Sequence, residues 1–156
     1  MNKLLKATCI ALPLFILLVD QCIKWFTYHT GRGSFTLWFI SINPLRNPGI
    51  AFSLPVPLWL QLTIIPGVVC ALLVLAYNAY MRSQLILTSA YACIIGGALS
   101  NYVDRILFGG VIDYLDVPMF TVFNLADVAI TIGAAMVIYD HVRQSKQSTT
   151  VLDKSI

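Results

Sequence analysis

Acidic side chains cluster in one stretch of an otherwise apolar sequence, between residues 101 and 127. Four of the seven carboxylates lie there: Asp104, Asp113, Asp116 and Asp127. Carboxylates are costly inside a bilayer, so their presence in membrane-like sequence indicates a functional site. When two carboxylates share a partly dry site, their repulsion raises one pKa until the pair holds a single proton. One carboxylate can then take a proton from water while the other hydrogen-bonds a peptide carbonyl, which predicts peptide hydrolysis.

Asp127 is the first predicted member of this pair, because it lies about two turns into the fourth apolar run, where facing lipid would be unfavourable. Two residues compete for the second place. Asp104 precedes Arg105, whose charge would keep it ionised and suit it to binding or orientation. Asp113 lies among apolar residues after a glycine pair, so desolvation would raise its pKa. The residues therefore favour Asp113, and Asp116 is interpreted as a solvated neighbour.

Two further pairs of residues have both a structural and a functional interpretation. Asp20 and Lys24 have i,i+4 spacing, which is typical of an ion pair at a helix end and equally compatible with positioning a substrate. Asn47 and Gly49 lie in turn-like sequence, where the glycine would also let a substrate backbone approach closely.

Other chemistries have little support in the sequence. His29 and His141 fall at opposite ends of the predicted helices, so neither a zinc site nor a histidine-based triad is expected. The four cysteines have unrelated spacings: Cys9, Cys22, Cys70 and Cys93. The ten basic residues form no block that would bind nucleic acid. We therefore expect no metal, no cofactor and no nucleic-acid partner.

The elements that position these residues are predicted to be membrane helices, because 58% of the residues are hydrophobic, against ~45–50% in soluble domains. We expect one membrane domain over residues 1–156, with spans at about 5–27, 58–80, 85–103 and 120–139. A β-like segment at about 31–55 joins the first two spans; it contains two β-prone pieces, residues 34–42 and 50–53, joined by a predicted turn at 43–49. A loop from Arg105 to Met119 is expected at the interface, and it contains a short apolar piece at 111–116 that is too short to span the membrane. The distribution of lysine and arginine favours cytoplasmic termini, including a polar tail at about 145–156. A small transporter or proton relay that uses buried aspartates is the alternative function.

Five short motifs in this chain resemble those of the lipoprotein signal peptidase family, the bacterial type II signal peptidases, and they occur in the family's order. They are Asp20-Gln21-x-x-Lys24, Arg46-Asn47-Pro48-Gly49-Ile50-Ala51-Phe52-Ser53, Gly96-Gly97-Ala98-Leu99-Ser100-Asn101-Tyr102-Val103-Asp104-Arg105, Gly110-Val111-Ile112-Asp113 and Phe123-Asn124-Leu125-Ala126-Asp127. The resemblance implies an all-α integral membrane protein with four transmembrane helices, a small periplasmic β-cradle and an interfacial loop or half-helix.

The activity implied by the resemblance is that of a metal-independent aspartyl endopeptidase of the bacterial inner membrane, with its active site near the periplasmic face. Its substrates would be diacylglyceryl-modified prolipoproteins, cut just before the lipid-bearing cysteine. The remaining expected partners are membrane lipid and globomycin-type inhibitors, and the protein is expected to act as a monomer.

Matched motif by motif, the resemblance makes Asp113 and Asp127 the catalytic pair. The substrate-binding or supporting residues would be Asp20, Lys24, Asn47, Gly49, Asn101, Asp104, Arg105 and Asn124. The chain departs from the family pattern at Ser100, at Pro48 and Ile50, and in the short link of thirteen residues between the two catalytic aspartates.

Overall fold

Long apolar helices make up most of the computed structural model, which describes residues 3–30, 35–38, 40–50 and 54–153. Within these residues the four helices are α1 (Lys3–Thr30), α2 (Leu58–Met81), α3 (Leu85–Phe108) and α4 (Leu125–Asp153). Each contains a segment of 22 to 24 residues that is long and apolar enough to cross a membrane. The predicted fold class, a helical membrane protein with a small sheet, is confirmed.

Helix α3 lies at the centre of the bundle and contacts each of the other three helices. Small residues allow these close approaches, because without a Cβ the neighbouring backbone can come nearer. A Cβ on Gly96 would lie 2.7 Å from the carbonyl oxygen of Pro13 in α1, and one on Gly97 would overlap the carbonyl oxygen of Ala126 in α4. The small residues of α3 therefore fix how closely the first turn of α4 approaches.

A three-stranded antiparallel sheet covers one end of the bundle in the described part of the chain. Its strands are β1 (Phe35–Leu37), β2 (Ile40–Asn47) and β3 (Val111–Asp116), with β2 in the middle. In the register of β2 and β3, Leu45 lies opposite Asp113 and Asn47 lies opposite Val111. The sheet therefore brings the residues around Asn47 beside the strand that carries Asp113.

The middle strand runs through sequence that was predicted to be a turn. Pro44 cannot donate a hydrogen bond, and a register shift between Ile42 and Leu45 accommodates it within the strand. The second predicted β-prone piece, residues 50–53, is not a strand at Ile50, which lies in a bend, and its other three residues lie outside the described ranges.

Two of the helices have a bound that differs by at least five residues from the predicted span. Helix α3 continues to Phe108, so Asp104 and Arg105 lie inside a helix, and Gly109 ends it with a φ of 67°. Helix α4 begins at Leu125 and continues to Asp153 in the predicted polar tail, whose last three residues lie outside the described ranges.

The predicted interfacial loop or half-helix is largely strand β3, because its backbone pairs with β2. A bridge between Leu115 and Phe123 closes the connection from β3 to α4. The short link between Asp113 and Asp127 is therefore a tight loop attached to the sheet.

Candidate active site

A cavity of about 660 Å³ opens between the sheet and the adjoining ends of α2, α3 and α4. Asp113 and Asp127 both line it, together with Asn47, Gly49, Asn101 and Arg105. Much of the remaining wall is apolar and includes Ile65, Ala98, Val128, Ile130 and Ile132. The two carboxylates thus lie in a largely apolar cavity, which is the environment that separates the pKa values of a carboxylate pair.

Asp113 is held by two amide donors. Its Oδ1 accepts a hydrogen bond from Asn124 Nδ2 at 2.7 Å, and its Oδ2 accepts one from Asn47 Nδ2 at 3.2 Å. Asn47 is itself oriented, because its Oδ1 accepts the backbone N–H of Gly49 at 2.9 Å. Asp113 is only 5% exposed. Burial and the neighbouring charge of Asp127 raise the pKa of Asp113 to about 6.

Asp127 lies in the first turn of α4 and faces the same cavity. Its Oδ1 accepts a hydrogen bond from Asn101 Nδ2 at 2.8 Å, and its Oδ2 accepts the backbone N–H of Asn124 at 3.2 Å. The backbone N–H of Asp127 donates in return to Asn124 Oδ1 at 2.8 Å. Asn124 therefore contacts both aspartates and fixes one relative to the other.

A buried cluster of charged side chains supports the wall of the cavity. Lys24 Nζ lies 2.7 Å from Asp20 Oδ2 and 2.8 Å from Asp104 Oδ2, and none of these three side chains is more than 2% exposed. The same ammonium donates to Asn101 Oδ1 at 2.9 Å. Removing one member of such a buried pair typically costs ~3–5 kcal/mol. These residues do not line the cavity; they hold its wall.

The ion cluster also anchors the two elements that carry the cavity aspartates. Asp104 Oδ2 accepts the backbone N–H of Ile112 in β3 at 3.0 Å. Asp20 Oδ1 accepts the backbone N–H of Ala126 in α4 at 3.2 Å. The ion-pair interpretation of Asp20 and Lys24 therefore agrees with the structure, and Asp104 faces the lysine.

Arg105 forms part of the cavity wall and is fixed by a residue that the sequence analysis missed. Its Nε donates to Gln61 Oε1 at 2.6 Å, and its Nη1 donates to the carbonyl oxygen of Asn101 at 2.9 Å. Gln61 Nε2 donates to the carbonyl oxygens of Pro48 and Val56 at 3.1 and 2.7 Å. Gln61 thus links α2, α3 and the segment after β2. The sequence feature that could have identified Gln61 is its polar amide inside an otherwise apolar membrane span.

Two further polar groups were not recognised as parts of the site. Ser100 donates from its hydroxyl to Asp20 Oδ2 at 2.6 Å. Tyr114 donates to Asp20 Oδ1 at 3.2 Å and accepts the backbone N–H of Leu125 at 3.1 Å. In the sequence, Tyr114 lies in a short apolar piece, and nothing in that pattern predicts a partner for its hydroxyl. Among the described residues, no group of three or more histidine, cysteine, aspartate or glutamate side chains is arranged to hold a metal ion.

Comparisons with known proteins relate this fold to membrane peptidases. The profile of the family described as Signal peptidase (SPase) II matches residues 12–143. A lipoprotein signal peptidase of Halothermothrix orenii is 38% identical over 130 residues, which cover 80% of this chain and 88% of that protein. A lipoprotein signal peptidase of Yersinia enterocolitica is 40% identical over 111 residues, 65% of each chain.

Two solved structures, both described as bacterial membrane enzymes, have the same fold. One superposes with a TM-score of 0.81 at 25% identity, covering 90% of this chain and 91% of the other. The second has a TM-score of 0.74 at 29% identity and covers 86% and 92%. In both cases the likeness extends over most of the length of the two chains.

Proposed function

Since the chain belongs to the signal peptidase II family, we propose that it is an intramembrane aspartyl endopeptidase that removes the signal peptide from diacylglyceryl-modified prolipoproteins. It cuts the peptide bond just before the lipid-bearing cysteine. The observation that carries the proposal is that Asp113 and Asp127 line one cavity and are bonded to a common residue, Asn124.

The charges around the cavity favour one shared proton on the two aspartates. Among the described residues, the carboxylates of Asp20, Asp104, Asp113 and Asp127 outnumber the two cations that pair or interact with them, Lys24 and Arg105. Holding a proton on the catalytic pair lowers the excess negative charge in a place where solvation is poor. Asp113, whose pKa is raised to about 6, holds this proton, and a bound substrate raises that pKa further by excluding water.

The reaction needs only a water molecule between the two carboxyl groups. Asp127 takes a proton from the water as its oxygen attacks the carbonyl carbon, while Asp113 gives its proton to the carbonyl oxygen. In the tetrahedral intermediate Asp127 returns its proton to the leaving nitrogen, and the hydroxyl proton moves back to Asp113 as the carbon–nitrogen bond breaks. The signal peptide leaves with a new carboxyl group, the lipidated cysteine gains a free amino group, and the pair regains its single proton.

The walls of the cavity suit a substrate that is partly in lipid. Ile65 of α2, Ala98 of α3 and Val128 of α4 provide apolar surface beside the aspartates. The substrate enters sideways from the bilayer while its acyl chains stay in lipid, and Arg105 provides donors to its backbone carbonyls. A substrate that is anchored by its acyl chains would present its scissile bond to the aspartates in a fixed orientation. Such orientation contributes much of the acceleration of a reaction by an enzyme.

The orientation in the membrane follows from the basic residues. Lys3, Lys6, Arg82, Arg143 and Lys146 belong to the side of the bundle with both termini, which supports cytoplasmic termini in the inner membrane. The cavity then opens near the periplasmic face, where lipid-modified precursors are exposed. The protein acts as a monomer, and a globomycin-type cyclic peptide blocks the cavity.

The test is cleavage of a synthetic diacylglyceryl-cysteine precursor by the purified protein in lipid bilayers. Asp113→Asn and Asp127→Asn should each abolish cleavage while the protein stays folded and inserted. Asp116→Asn is the matched control, because Asp116 lies in the same strand as Asp113 but outside the cavity. Full activity of Asp127→Asn would contradict the proposal. Gradient-driven uptake into vesicles without any cleavage would instead favour the transporter alternative.

A further inference from the structure

Tyr114 lies directly after Asp113 in β3, and its side chain is 2% exposed. Successive side chains of a strand point to opposite faces. Asp113 faces the cavity, whereas Tyr114 points into the protein and is absent from the cavity wall. Its hydroxyl accepts the backbone N–H of Leu125 at 3.1 Å and donates to Asp20 Oδ1 at 3.2 Å.

This hydroxyl is one of three acceptors that satisfy the start of α4. The first N–H groups of a helix have no partner within the helix. Here Leu125 donates to Tyr114, Ala126 donates to Asp20 Oδ1, and Asp127 donates to Asn124 Oδ1. Of these three acceptors, only Tyr114 belongs to β3, the strand that carries Asp113.

The loop between the two elements is closed by backbone hydrogen bonds at Phe123, before the helix begins. Residues 118–120 are exposed, and Met119 has a φ of 65°. The backbone N–H of Tyr114 donates to the carbonyl oxygen of Phe123 at 3.1 Å, which aligns the chain before the helix begins. The contact from the Tyr114 hydroxyl reaches the helix itself, at the residue two positions before Asp127.

We propose that the Tyr114 hydroxyl is a positioning group that fixes the separation of the Asp113 and Asp127 carboxyl groups by joining β3 to the first turn of α4. The kinetic part of this inference rests on the proposed function, whereas its structural part does not. Burial and the charge of Asp20 raise the pKa of Tyr114 well above its usual range. The hydroxyl therefore keeps its proton and can donate throughout the pH range in which a peptidase works.

The charges that act on Asp113 come from three other elements. The charge of Asp127 in α4 raises the pKa of Asp113, and the charge of Lys24 in α1 lowers it. Arg105 of α3 interacts electrostatically with both aspartates. Loosening the contact at Tyr114 would increase the mean distance between the two aspartates and weaken the effect of Asp127. The ionisation of Asp113 therefore reports on the separation of the pair.

The test is Tyr114→Phe, which removes the hydroxyl and keeps the ring. We expect kcat to fall about tenfold with KM within about twofold, because a misplacement of ~1 Å costs up to about 10²-fold. Tyr102→Phe is the matched control. Its hydroxyl also donates within the bundle, to the carbonyl oxygen of Leu62 at 3.3 Å, so it joins α3 to α2 rather than β3 to α4. Tyr102→Phe should keep the wild-type kcat.

A second readout does not depend on cleavage. The titration of Asp113, followed by NMR of carboxyl-labelled aspartate, should move to lower pH in Tyr114→Phe and stay in place in Tyr102→Phe. An unchanged titration or an unchanged kcat in Tyr114→Phe overturns the inference. If the wild-type protein fails to cleave lipidated precursors, the proposed function fails, and the titration alone still decides the role of Tyr114.

Discussion

Asn124 and Asp127 cap the start of α4 reciprocally. The backbone N–H of Asp127 donates to Asn124 Oδ1 at 2.8 Å, and the backbone N–H of Asn124 donates to Asp127 Oδ2 at 3.2 Å. This is a capping box with aspartate in the place of the usual glutamate. The amide of the same asparagine donates to Asp113 Oδ1 at 2.7 Å. One motif therefore begins the helix and also joins the two aspartates of the cavity.

Replacing Asn124 should separate these two roles. Asn124→Ala loses the cap and the donor to Asp113, so we expect a loss of ~1 kcal/mol in stability together with a large loss of activity. Asn124→Ser keeps an acceptor for the Asp127 N–H, so stability should largely return while activity stays low. Thermal unfolding in detergent and cleavage of a lipidated peptide measure the two effects. Equal recovery of both in Asn124→Ser would contradict a separate role for the amide.

The sequence contains the motif Asn-x-x-Asp twice, and the two copies have different environments in the structure. Asn101 and Asp104 lie inside α3, where the aspartate faces Lys24 and is fully buried. Asn124 and Asp127 lie at the start of α4, where the aspartate faces a cavity. Spacing alone makes the two phrases equivalent. Asp104 is followed by Arg105 and Asp113 is surrounded by apolar residues, and this difference favoured Asp113 as the partner of Asp127. The ionisation of a carboxyl group depends on its neighbours, and some of these are adjacent in the sequence.

The helices were predictable from hydrophobic length, but the partners of their polar residues were not. Gln61, Ser100 and Tyr114 bind groups 44, 80 and 94 positions away in the chain. Such contacts depend on how the helices pack, which apolar periodicity does not specify. The strand β3 was also missed, because its pairing with β2 is a long-range contact and its six residues read as a loop next to a glycine pair.

The pH dependence of cleavage should show the raised pKa of Asp113, which is about 6 against an ordinary value of 3.8. Below this pKa the pair holds its proton, and above it the proton is lost. We therefore expect kcat/KM to fall about tenfold per pH unit on the alkaline side of about pH 6. The alkaline fall of kcat, which we call the alkaline limb, should lie at higher pH than that of kcat/KM. Bound substrate excludes water from the cavity and so raises the pKa of Asp113 further.

Asn47→Ala tests the origin of this limb. The hydrogen bond from Asn47 lowers the pKa of Asp113, so its removal should raise that pKa and move the alkaline limb to higher pH. Asn43→Ala, at an exposed position of the same strand, is the control and should leave the limb in place. A limb that stays in place or moves to lower pH in Asn47→Ala would contradict the assignment to Asp113.

Gln61 should contribute to both stability and substrate binding. Gln61→Met has a similar shape but leaves the Nε of Arg105 and the carbonyl oxygens of Pro48 and Val56 without this partner. We expect a loss of ~1–3 kcal/mol and a higher KM, since Arg105 forms part of the cavity wall. Gln84→Met, at the other end of the bundle, is the control for unfolding temperature and KM. Unchanged unfolding in Gln61→Met would rule out the proposed link.

The close approach of α3 and α4 at Gly97 should control the position of Asp127. In Gly97→Ala the new methyl group would overlap the carbonyl oxygen of Ala126, the residue before Asp127. The first turn of α4 must then shift, and we expect kcat to fall by about 10²-fold. Overpacking should also cost ~1–3 kcal/mol in stability.

Gly67→Ala is the matched control for this change, because a Cβ there meets nothing within 4 Å. Alanine favours a helix over glycine by ~0.5–1 kcal/mol, so this variant should be as stable as the wild type or more so, with unchanged kcat. Both variants add one methyl group to a membrane helix, and only one of them lies against the helix that carries Asp127. Wild-type kcat in Gly97→Ala would therefore show that α4 tolerates displacement, and the cavity geometry would not depend on this contact.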